Sequence, residues 1–317
     1  MKASVLALVT GLVLLSPPDR ASAAITNVYF TAFEATNGYN TNLTLIGQQG
    51  WIGDGNGDNG VVNQYLLGQG QQALLGGFSP LPADESLIVW RPIDFTPVAS
   101  GYPIVKFSVL MNIADSLNNQ WDTFRWSVYN IQGDRLFSLD FDNYPQYLDV
   151  GYRLDGTNTT QFTSLKYVNN SNYTLNVTMN FASNRWSATL NNNLITTNQL
   201  ITTTNAQLTL GDVDAVWLIF NTNAPGDNYM LFDNYRITAE TIPVTPAQVQ
   251  FLGRTGEGWA LLRVFGANNS RWALDATTNL VNWTALKTNP VSGTYFDHVD
   301  NTAAGVPRRF YRARHVP

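Results

Sequence analysis

The amino-acid sequence predicts an all-β protein, a large two-sheet antiparallel sandwich followed by a small β-sandwich module. Charged residues make up only 13% of the 317 residues, while hydrophobic residues make up 44%. Asn, Thr, Gly and aromatic residues are abundant, which favours strands and turns over helices. Short apolar runs recur with polar turns between them, as is typical of sandwiches and barrels.

The predicted strands of the large domain follow one another at short intervals. The stretch 53–60 is saturated with turn residues and is predicted to be an exposed loop. The predicted strands are 25–33, 72–75, 86–90, 104–111, 124–129, 136–141, 147–154, 163–168, 173–181, 185–190, 215–220 and 229–238.

Alternation within these runs predicts which side chains face the core. In the run 124–129, Phe124, Trp126 and Val128 alternate with polar residues, and the runs 136–142 and 173–181 alternate in the same way. Strands with one apolar face imply two large sheets packed face to face, each with one side open to water. Trp51, Trp90, Trp121 and Trp186 are also interpreted as mostly core residues.

The amino terminus is typical of a secretory signal peptide. A charged start at Lys2, an apolar run over 5–15 and the ending Ala21-Ser22-Ala23 predict cleavage after Ala23. No later stretch is apolar enough to cross a membrane, so we expect a secreted, extracellular, cell-surface or periplasmic protein. The prolines Pro243 and Pro246 then mark a linker. The predicted division is a signal peptide over 1–23, a domain over 24–240, a linker over 241–248 and a C-terminal module over 249–317.

Charge and cysteine content exclude several classes of function. The formal net charge of −5 argues against a nucleic-acid partner, because neutralising phosphates requires a clustered basic surface. The basic cluster Arg308, Arg309, Arg312 and Arg314 is interpreted as support for a terminal strand. The chain has no cysteine, which excludes thiolate zinc sites and cysteine nucleophiles and favours a bacterial source.

Two distant segments, 33–39 and 232–237, are predicted to meet as paired strands that close the sandwich. Each contains one carboxylate, Glu34 and Asp233. A second oxygen-rich stretch, Asp54 to Asp58, starts like an EF-hand loop but has Tyr65 where that loop needs a bidentate Glu. We therefore interpret it as a turn.

Several short motifs together resemble a known superfamily. They are Phe33-Glu34-Ala35, Gly38-Tyr39, Gly47-Gln48-Gln49-Gly50-Trp51, Phe124-Arg125-Trp126 with 137–141, and Phe232-Asp233-Asn234-Tyr235-Arg236. Over about residues 25–240 the combination resembles the concanavalin A-like lectin/glucanase jelly-roll superfamily, and more narrowly the laminin-G-like domains of exported bacterial proteins. The resemblance implies a jelly-roll sandwich with a structural Ca²⁺ ion held by Glu34 and Asp233. From the residues alone, Glu34 pairing with Arg236 or capping a turn is the alternative.

The resemblance gives little support for catalysis. Laminarinase-type glycosidases of this superfamily use a Glu-x-Asp-x-x-Glu strand motif, which is absent from this chain, as are the strand motifs of related alginate lyases. Asp140 and Asp142 are the best carboxylate pair, and they would be the catalytic residues of an enzyme. We lean towards a protein that is not an enzyme.

A polar, aromatic sheet face would suit sugar recognition, because a pyranose has an apolar face for stacking and hydroxyls for hydrogen bonds. The candidate ligand-binding residues are Arg125, Tyr129, Asp140, Asp142, Asp149, Arg153 and Trp217. The alternative is an interstrand salt bridge between Arg125 and Asp140 or Asp142 that only ties strands together. Trp217 lies opposite Leu218 in the alternation, so its exposure on the concave sheet is also an open interpretation.

The last stretch resembles a β-module common in secreted proteins of Verrucomicrobia and relatives. The resemblance rests on the run 272–284 and on Arg308-Arg309-Phe310-Tyr311-Arg312. Three functions follow from the sequence. The first is a secreted, non-catalytic carbohydrate-binding or adhesion-type protein with a polysaccharide or glycan partner. The alternatives are a polysaccharide-cleaving hydrolase or lyase with a divergent site, and a structural envelope protein without a glycan ligand.

Overall fold

Antiparallel strands form almost all of the regular structure in the computed structural model of the chain. The structure describes residues 23–77, 83–242, 247–266, 271–291 and 293–316, without the side chain of His315. Residues 1–22 of the predicted signal peptide and 243–246 of the predicted linker lie outside the described residues. Within the described ranges there is no α-helix, and no helix is long and apolar enough to span a bilayer.

Fifteen strands are described in the first compact unit, Ala24–Ile242. They are β1 (Ile25–Thr31), β2 (Ile52–Asp54), β3 (Asn59–Asn63), β4 (Gln71–Gly76), β5 (Ser86–Trp90), β6 (Ile104–Ile113), β7 (Thr123–Tyr129), β8 (Arg135–Phe141), β9 (Asp149–Leu154), β10 (Gln161–Lys166), β11 (Asn172–Asn180), β12 (Arg185–Leu190), β13 (Asn193–Leu200), β14 (Asp212–Leu218) and β15 (Tyr229–Glu240).

These strands form two antiparallel sheets. Sheet A has the order β13-β12-β11-β6-β15-β4-β3, and β1 also pairs with β15. Sheet B has the order β10-β9-β8-β7-β14-β5-β2. The predicted all-β, two-sheet antiparallel architecture is therefore confirmed.

The two sheets enclose one aromatic core. Phe124 and Trp126 of sheet B and Phe232 and Tyr235 of sheet A are almost completely buried. The rings of Trp126 and Phe232 meet edge to face with centroids 5.3 Å apart. The faces predicted from alternation in 124–129 and 136–141 are correct, because Phe124, Trp126, Val128, Phe137, Leu139 and Phe141 all lie in this core.

The stretch 53–60 differs from its prediction as a single exposed loop. Its ends belong to β2 and β3, which pair with β5 and β4. Asn59 is buried, and its side-chain Oδ1 accepts a hydrogen bond from the backbone N–H of Ile46 at 3.1 Å. Turn-forming residues enter strands here because an Asn side chain satisfies a backbone donor from a neighbouring loop.

The C-terminal unit contains two small sheets. Its strands are β16 (Gln248–Arg254), β17 (Ala260–Phe265), β18 (Arg271–Thr277), β19 (Thr284–Pro290), β20 (Tyr295–Asp300) and β21 (Phe310–Val316). Sheet C has the order β16-β17-β20 and sheet D the order β19-β18-β21. Leu262, Val264, Trp272 and Leu274 belong to a separate small core.

Candidate functional site

The sandwich closes at β15, as predicted, but a different segment pairs with that strand. β1 pairs with residues 235–240 of β15, and β4 pairs with residues 229–232 on the same edge. The strand that pairs is therefore Ile25–Thr31 and not 33–39, which instead contains a 3-10 turn over Ala35–Asn37. Asp233 and Asn234 lie in the gap between the two partners, and Asn234 has a φ of 51°. Glu34 follows β1 into the same gap.

Glu34 and Asp233 form an uncompensated acidic pair in this gap. Asp233 is buried. Burial raises the pKa of Asp233 to about 7; the Glu34 carboxylate also raises it, and the hydrogen bond from the Asn234 N–H opposes the rise. Glu34 accepts a hydrogen bond from the Gln71 N–H at 3.2 Å, and the Oε1 atom of Gln71 is buried without a partner.

The alternative interpretations of Glu34 do not match its contacts. Its side chain does not cap the turn that follows it. The Arg236 guanidinium lies over the ring of Phe30, 4.1 Å from its centroid, and no ion pair of Glu34 or Asp233 occurs among the described residues. In that part of the chain no third acidic or histidine side chain joins them. Two carboxylates with nearby amide and carbonyl oxygens fit the hard oxygen ligands that Ca²⁺ takes.

Three of the candidate ligand-binding residues, Arg125, Asp140 and Arg153, form one ion-paired cluster. It lies on the outer face of sheet B, which is turned away from the core. Asp140 accepts Arg125 Nε at 2.5 Å, and its other oxygen accepts Arg153 Nε and Thr160 Oγ1, both at 2.6 Å. Burial tends to raise the pKa of Asp140, but the hydrogen bond and charge of Arg125, then Thr160 and Arg153, lower it below its ordinary value. The interstrand salt bridge considered from the sequence is therefore what forms.

The remaining candidates lie in different places. Asp142 follows the end of β8, and its Oδ1 accepts the N–H of Tyr144 at 3.0 Å. Asp149 pairs with Lys166 Nζ at 2.6 Å. Trp217 is fully buried and donates its Nε1–H to Asp122 at 3.1 Å, so it faces the core and cannot stack on a sugar. Asp140 and Asp142 have different partners and do not form a carboxylate pair.

Tyr129 borders an acidic pair that the sequence interpretation missed. Asp212 and Asp214 are two residues apart on β14 and lie opposite Tyr129 and Ser127 of β7. Asp214 is only 5% exposed, and the Oδ1 atoms of both residues are buried without a partner. Burial, then the charge of Asp212 and a hydrogen bond to it, raise the pKa of Asp214 to about 10. The two carboxylates therefore share a proton at neutral pH.

An open groove of about 640 Å³ lies next to Tyr129, lined also by Asp134, Arg135 and Asp155. Its Arg135 and Asp155 side chains already make hydrogen bonds within the protein. Arg135 Nη2 donates to the carbonyl oxygens of Leu154 and Thr157. Burial tends to raise the pKa of Asp155, but hydrogen bonds from Thr202, Thr203 and Thr204 lower it to about 2. The groove thus offers few free polar groups to a ligand.

The opposite end of sheet B has exposed aromatic side chains. We call Trp121, Tyr144 and Tyr147 the aromatic platform. The Trp121 and Tyr144 ring centroids are 5.7 Å apart, and those of Tyr144 and Tyr147 are also 5.7 Å apart with planes inclined by 34°. Tyr144 is 46% exposed and Tyr147 is 50% exposed. The prediction that Trp121 is a core residue is wrong, because it is only half-buried in the loop before β7.

Hydrogen bonds hold the Trp121 ring and the turn that carries both tyrosines. Trp121 Nε1 donates to Asp115 Oδ1 at 3.1 Å, and that oxygen also accepts Asn169 Nδ2 at 3.0 Å. The Tyr147 N–H donates to the Tyr144 carbonyl at 2.8 Å, which closes the turn that carries both tyrosines. The Trp121 ring and the backbone of the turn are therefore in place before a ligand binds, which favours affinity.

Comparisons with known proteins bear on the fold. No family model matches the sequence, and no curated protein is similar to it. Lectin II from Ulex europaeus is 10% identical with a TM-score of 0.43, over 63% of this chain and 96% of the lectin. The carbohydrate-binding module CBM66 from Bacillus subtilis is 11% identical with a TM-score of 0.38, over 59% of this chain and 94% of the module. A sialidase is 10% identical with a TM-score of 0.42, over 59% of this chain and 17% of the sialidase.

These likenesses concern the fold alone and give no information about a ligand. The two-sheet antiparallel β-sandwich expected from the sequence is confirmed, since two antiparallel sheets pack over one core. The assignment to the concanavalin A-like superfamily stays a prediction. The resemblance of the C-terminal stretch to a module of Verrucomicrobia stays a prediction.

Proposed function

We propose that this protein is a secreted, non-catalytic carbohydrate-binding or adhesion-type protein, and that the aromatic platform binds the sugar. The observation that carries the proposal is a pair of exposed tyrosine rings on one turn, next to the Trp121 ring that a hydrogen bond to Asp115 holds in place. Contiguous exposed apolar surface with polar groups at its rim marks binding sites. Tyr144 and Tyr147 present neighbouring faces on which the apolar side of a pyranose can stack.

Polar groups beside the rings support a sugar ligand over a purely apolar one. The hydroxyls of Tyr144 and Tyr147 form no hydrogen bond with the described residues. Asp142 uses Oδ1 for the Tyr144 N–H, and its Oδ2 accepts no hydrogen bond from them. A carboxylate oxygen beside a stacked ring can accept hydrogen bonds from a pair of sugar hydroxyls. We therefore propose that Asp142, a ligand-binding candidate from the sequence, binds the sugar beside the aromatic platform.

The contacts of the carboxylates support binding without cleavage. Asp140 is saturated by Arg125, Arg153 and Thr160, and Asp214 is buried. Glycosidases need two carboxyl groups on either side of a bond that the substrate can bring between them. Neither arrangement leaves room for a glycosidic oxygen.

Removal of either platform tyrosine is expected to weaken glycan retention. Affinity electrophoresis measures how strongly each of a panel of neutral polysaccharides retards the mature chain in the gel. Each tyrosine-to-alanine substitution at 144 or 147 should weaken binding about tenfold, roughly 1.4 kcal/mol, because a stacked ring is lost. The control is Tyr65→Ala, which removes a comparably exposed tyrosine elsewhere. If no neutral polysaccharide retards the wild-type chain, or if Tyr65→Ala weakens binding as much as Tyr144→Ala, the proposal fails.

We also propose that Glu34 and Asp233 bind a structural Ca²⁺ ion. Calcium would neutralise the acidic pair and link the turn after β1 to β15. A ligand that binds only the folded state stabilises it by about 2.7 kcal/mol at a hundred times its Kd. In a unit of this size that corresponds to a rise of roughly 5–10 °C in Tm.

Thermal melting in CaCl₂ and in EDTA tests this site. The calcium-induced rise in Tm should be present in the wild type and in Asp54→Asn, which alters the loop that starts like an EF-hand. It should disappear in Glu34→Gln. A rise that persists in Glu34→Gln and disappears in Asp54→Asn would place the ion in the other loop.

A further inference from the structure

The outer face of sheet D in the C-terminal unit carries a row of arginines. Trp272 and Leu274 of β18 point into the small core, so Arg271, Ala273 and Asp275 lie on the opposite face. Arg312 of β21 is paired with Asp275, Arg314 with Ala273, and Val316 with Arg271. The alternation therefore places Arg271, Arg312 and Arg314 on the same face as a single acidic residue, Asp275. We call this surface the arginine face.

Asp275 fixes two of these arginines without using most of their donors. It is buried, and its Oδ2 accepts Arg312 Nε at 3.1 Å and Arg314 Nε at 3.0 Å. The terminal amino groups of both guanidiniums donate no hydrogen bond to the described residues. The Arg312 and Arg314 side chains remain 46% and 51% exposed. Asp275 Oδ2 thus holds both guanidiniums through their Nε atoms, which leaves their terminal N–H groups available to a ligand.

The local charge has the opposite sign to that of the whole chain. The three strands of sheet D contain Arg271, Lys287, Arg312 and Arg314 but only one acidic residue, in a protein whose formal net charge is −5. The indole of Trp283 lies against Arg312, with the guanidinium carbon 4.2 Å from the ring centroid. A basic face with an aromatic edge on an acidic protein indicates a local anionic ligand, not general attraction to polyanions.

We propose that the arginine face binds the carboxylate or sulfate groups of an acidic polysaccharide. The planar fork of arginine matches such oxyanions with two parallel hydrogen bonds. Asp275 holds Arg312 and Arg314 in place before binding, so little side-chain entropy is lost. The Trp283 ring at the edge offers an apolar surface to the sugar that carries the acid group. This site is independent of the aromatic platform and lies in a different unit.

The experiment measures binding of the mature full-length chain to polygalacturonate, dextran sulfate, neutral dextran and double-stranded DNA at 50 and 300 mM NaCl. We expect the wild type to bind polygalacturonate or dextran sulfate, more weakly at high salt, and to bind DNA at least tenfold more weakly. Arg312→Gln/Arg314→Gln should lower acidic-polysaccharide binding at least tenfold. Arg271→Gln, which breaks no ion pair in the described residues, should lower it about threefold.

Two further variants keep the test decisive. Removal of both arginines leaves the Asp275 charge buried, so the triple variant with Asp275→Asn is measured beside the double variant, with circular dichroism as the check of folding. The charge-matched control is Arg185→Gln/Arg236→Gln, which removes two exposed arginines of the first unit and should bind as the wild type does.

Several results would overturn the proposal. They are no binding to either acidic polysaccharide at 50 mM NaCl, full binding by a folded triple variant, an equal loss in Arg185→Gln/Arg236→Gln, or DNA binding as tight as polysaccharide binding. Polygalacturonate and dextran sulfate separate carboxylate from sulfate recognition. Failure of the neutral-polysaccharide assay would overturn only the role of the aromatic platform.

Discussion

The Asp214→Asn variant is expected to be more stable than the wild-type protein at pH 8, and the difference should shrink as the pH falls to 5. The pKa of Asp214 is raised to about 10 in the folded state, whereas an aspartate in an unfolded chain titrates near 3.9. Folding therefore takes up a proton between these two values. The stability linked to this group is fully present below about pH 4 and is lost as the pH rises towards 10.

The expected slope follows from the same linkage. One proton taken up on folding changes the free energy of unfolding by up to about 1.4 kcal/mol per pH unit, or about 4 kcal/mol between pH 5 and pH 8. Asparagine keeps the shape and a donor for Asp212 but has no proton to take up. The curve of the variant should therefore fall less steeply with pH.

Urea unfolding from pH 5 to pH 9 measures both curves. The control is Asp84→Asn, which removes an exposed carboxylate and should run parallel to the wild type. Parallel curves for Asp214→Asn and the wild type would show that the two carboxylates of β14 do not share a proton.

The Asp140→Ala variant is expected to lose about 3–5 kcal/mol of stability, since removal of one partner of a buried ion pair leaves an uncompensated charge. Here Arg125 and Arg153 would both lose their acceptor. In a unit of this size the loss corresponds to a fall of roughly 6–20 °C in Tm.

The matched variant is Asp142→Ala, two residues further along the chain. It removes one hydrogen bond to the Tyr144 N–H, so it should cost about 1 kcal/mol. Equal losses of stability in the two variants would mean that the Asp140 cluster stabilises the protein no more than the single hydrogen bond from Asp142 to the turn. Glycan binding should respond in the opposite order, because Asp142 lies beside the aromatic platform and Asp140 does not.

Alternation predicted the core of sheet B where one face is clearly polar. Phe124, Trp126 and Val128 could be assigned because Arg125 and Ser127 separate them. Around Trp217 the run is apolar on both faces, since Val216 is buried too. The face of Trp217 is fixed instead by β14 starting at Asp212, which places Val213, Ala215 and Trp217 together in the core.

The candidate site was less predictable because its residues meet only in three dimensions. Asp140 is buried by Arg153 and Thr160, which belong to the next strand and its following loop, so its neighbours along the chain do not reveal its burial. Trp121 and Tyr144 belong to loops on either side of the β7–β8 hairpin. The spacing of Asp212 and Asp214 did contain a signal, since two carboxylates at alternate strand positions share one face.

The placement of β15 affects how the first unit is assembled during synthesis. β15 pairs with β1, β4 and β6, and its contact with β1 joins residues separated by about two hundred positions. Sheet A therefore stays open along its middle until the last strand of the unit has been made. Pairing between such distant segments slows folding, because the chain entropy is lost before the contacts form. A chain that lacks β15 would expose the edges of β6 and β4, and exposed strand edges promote aggregation. The yield of native protein should therefore depend on how well those edges are protected until β15 has been synthesised.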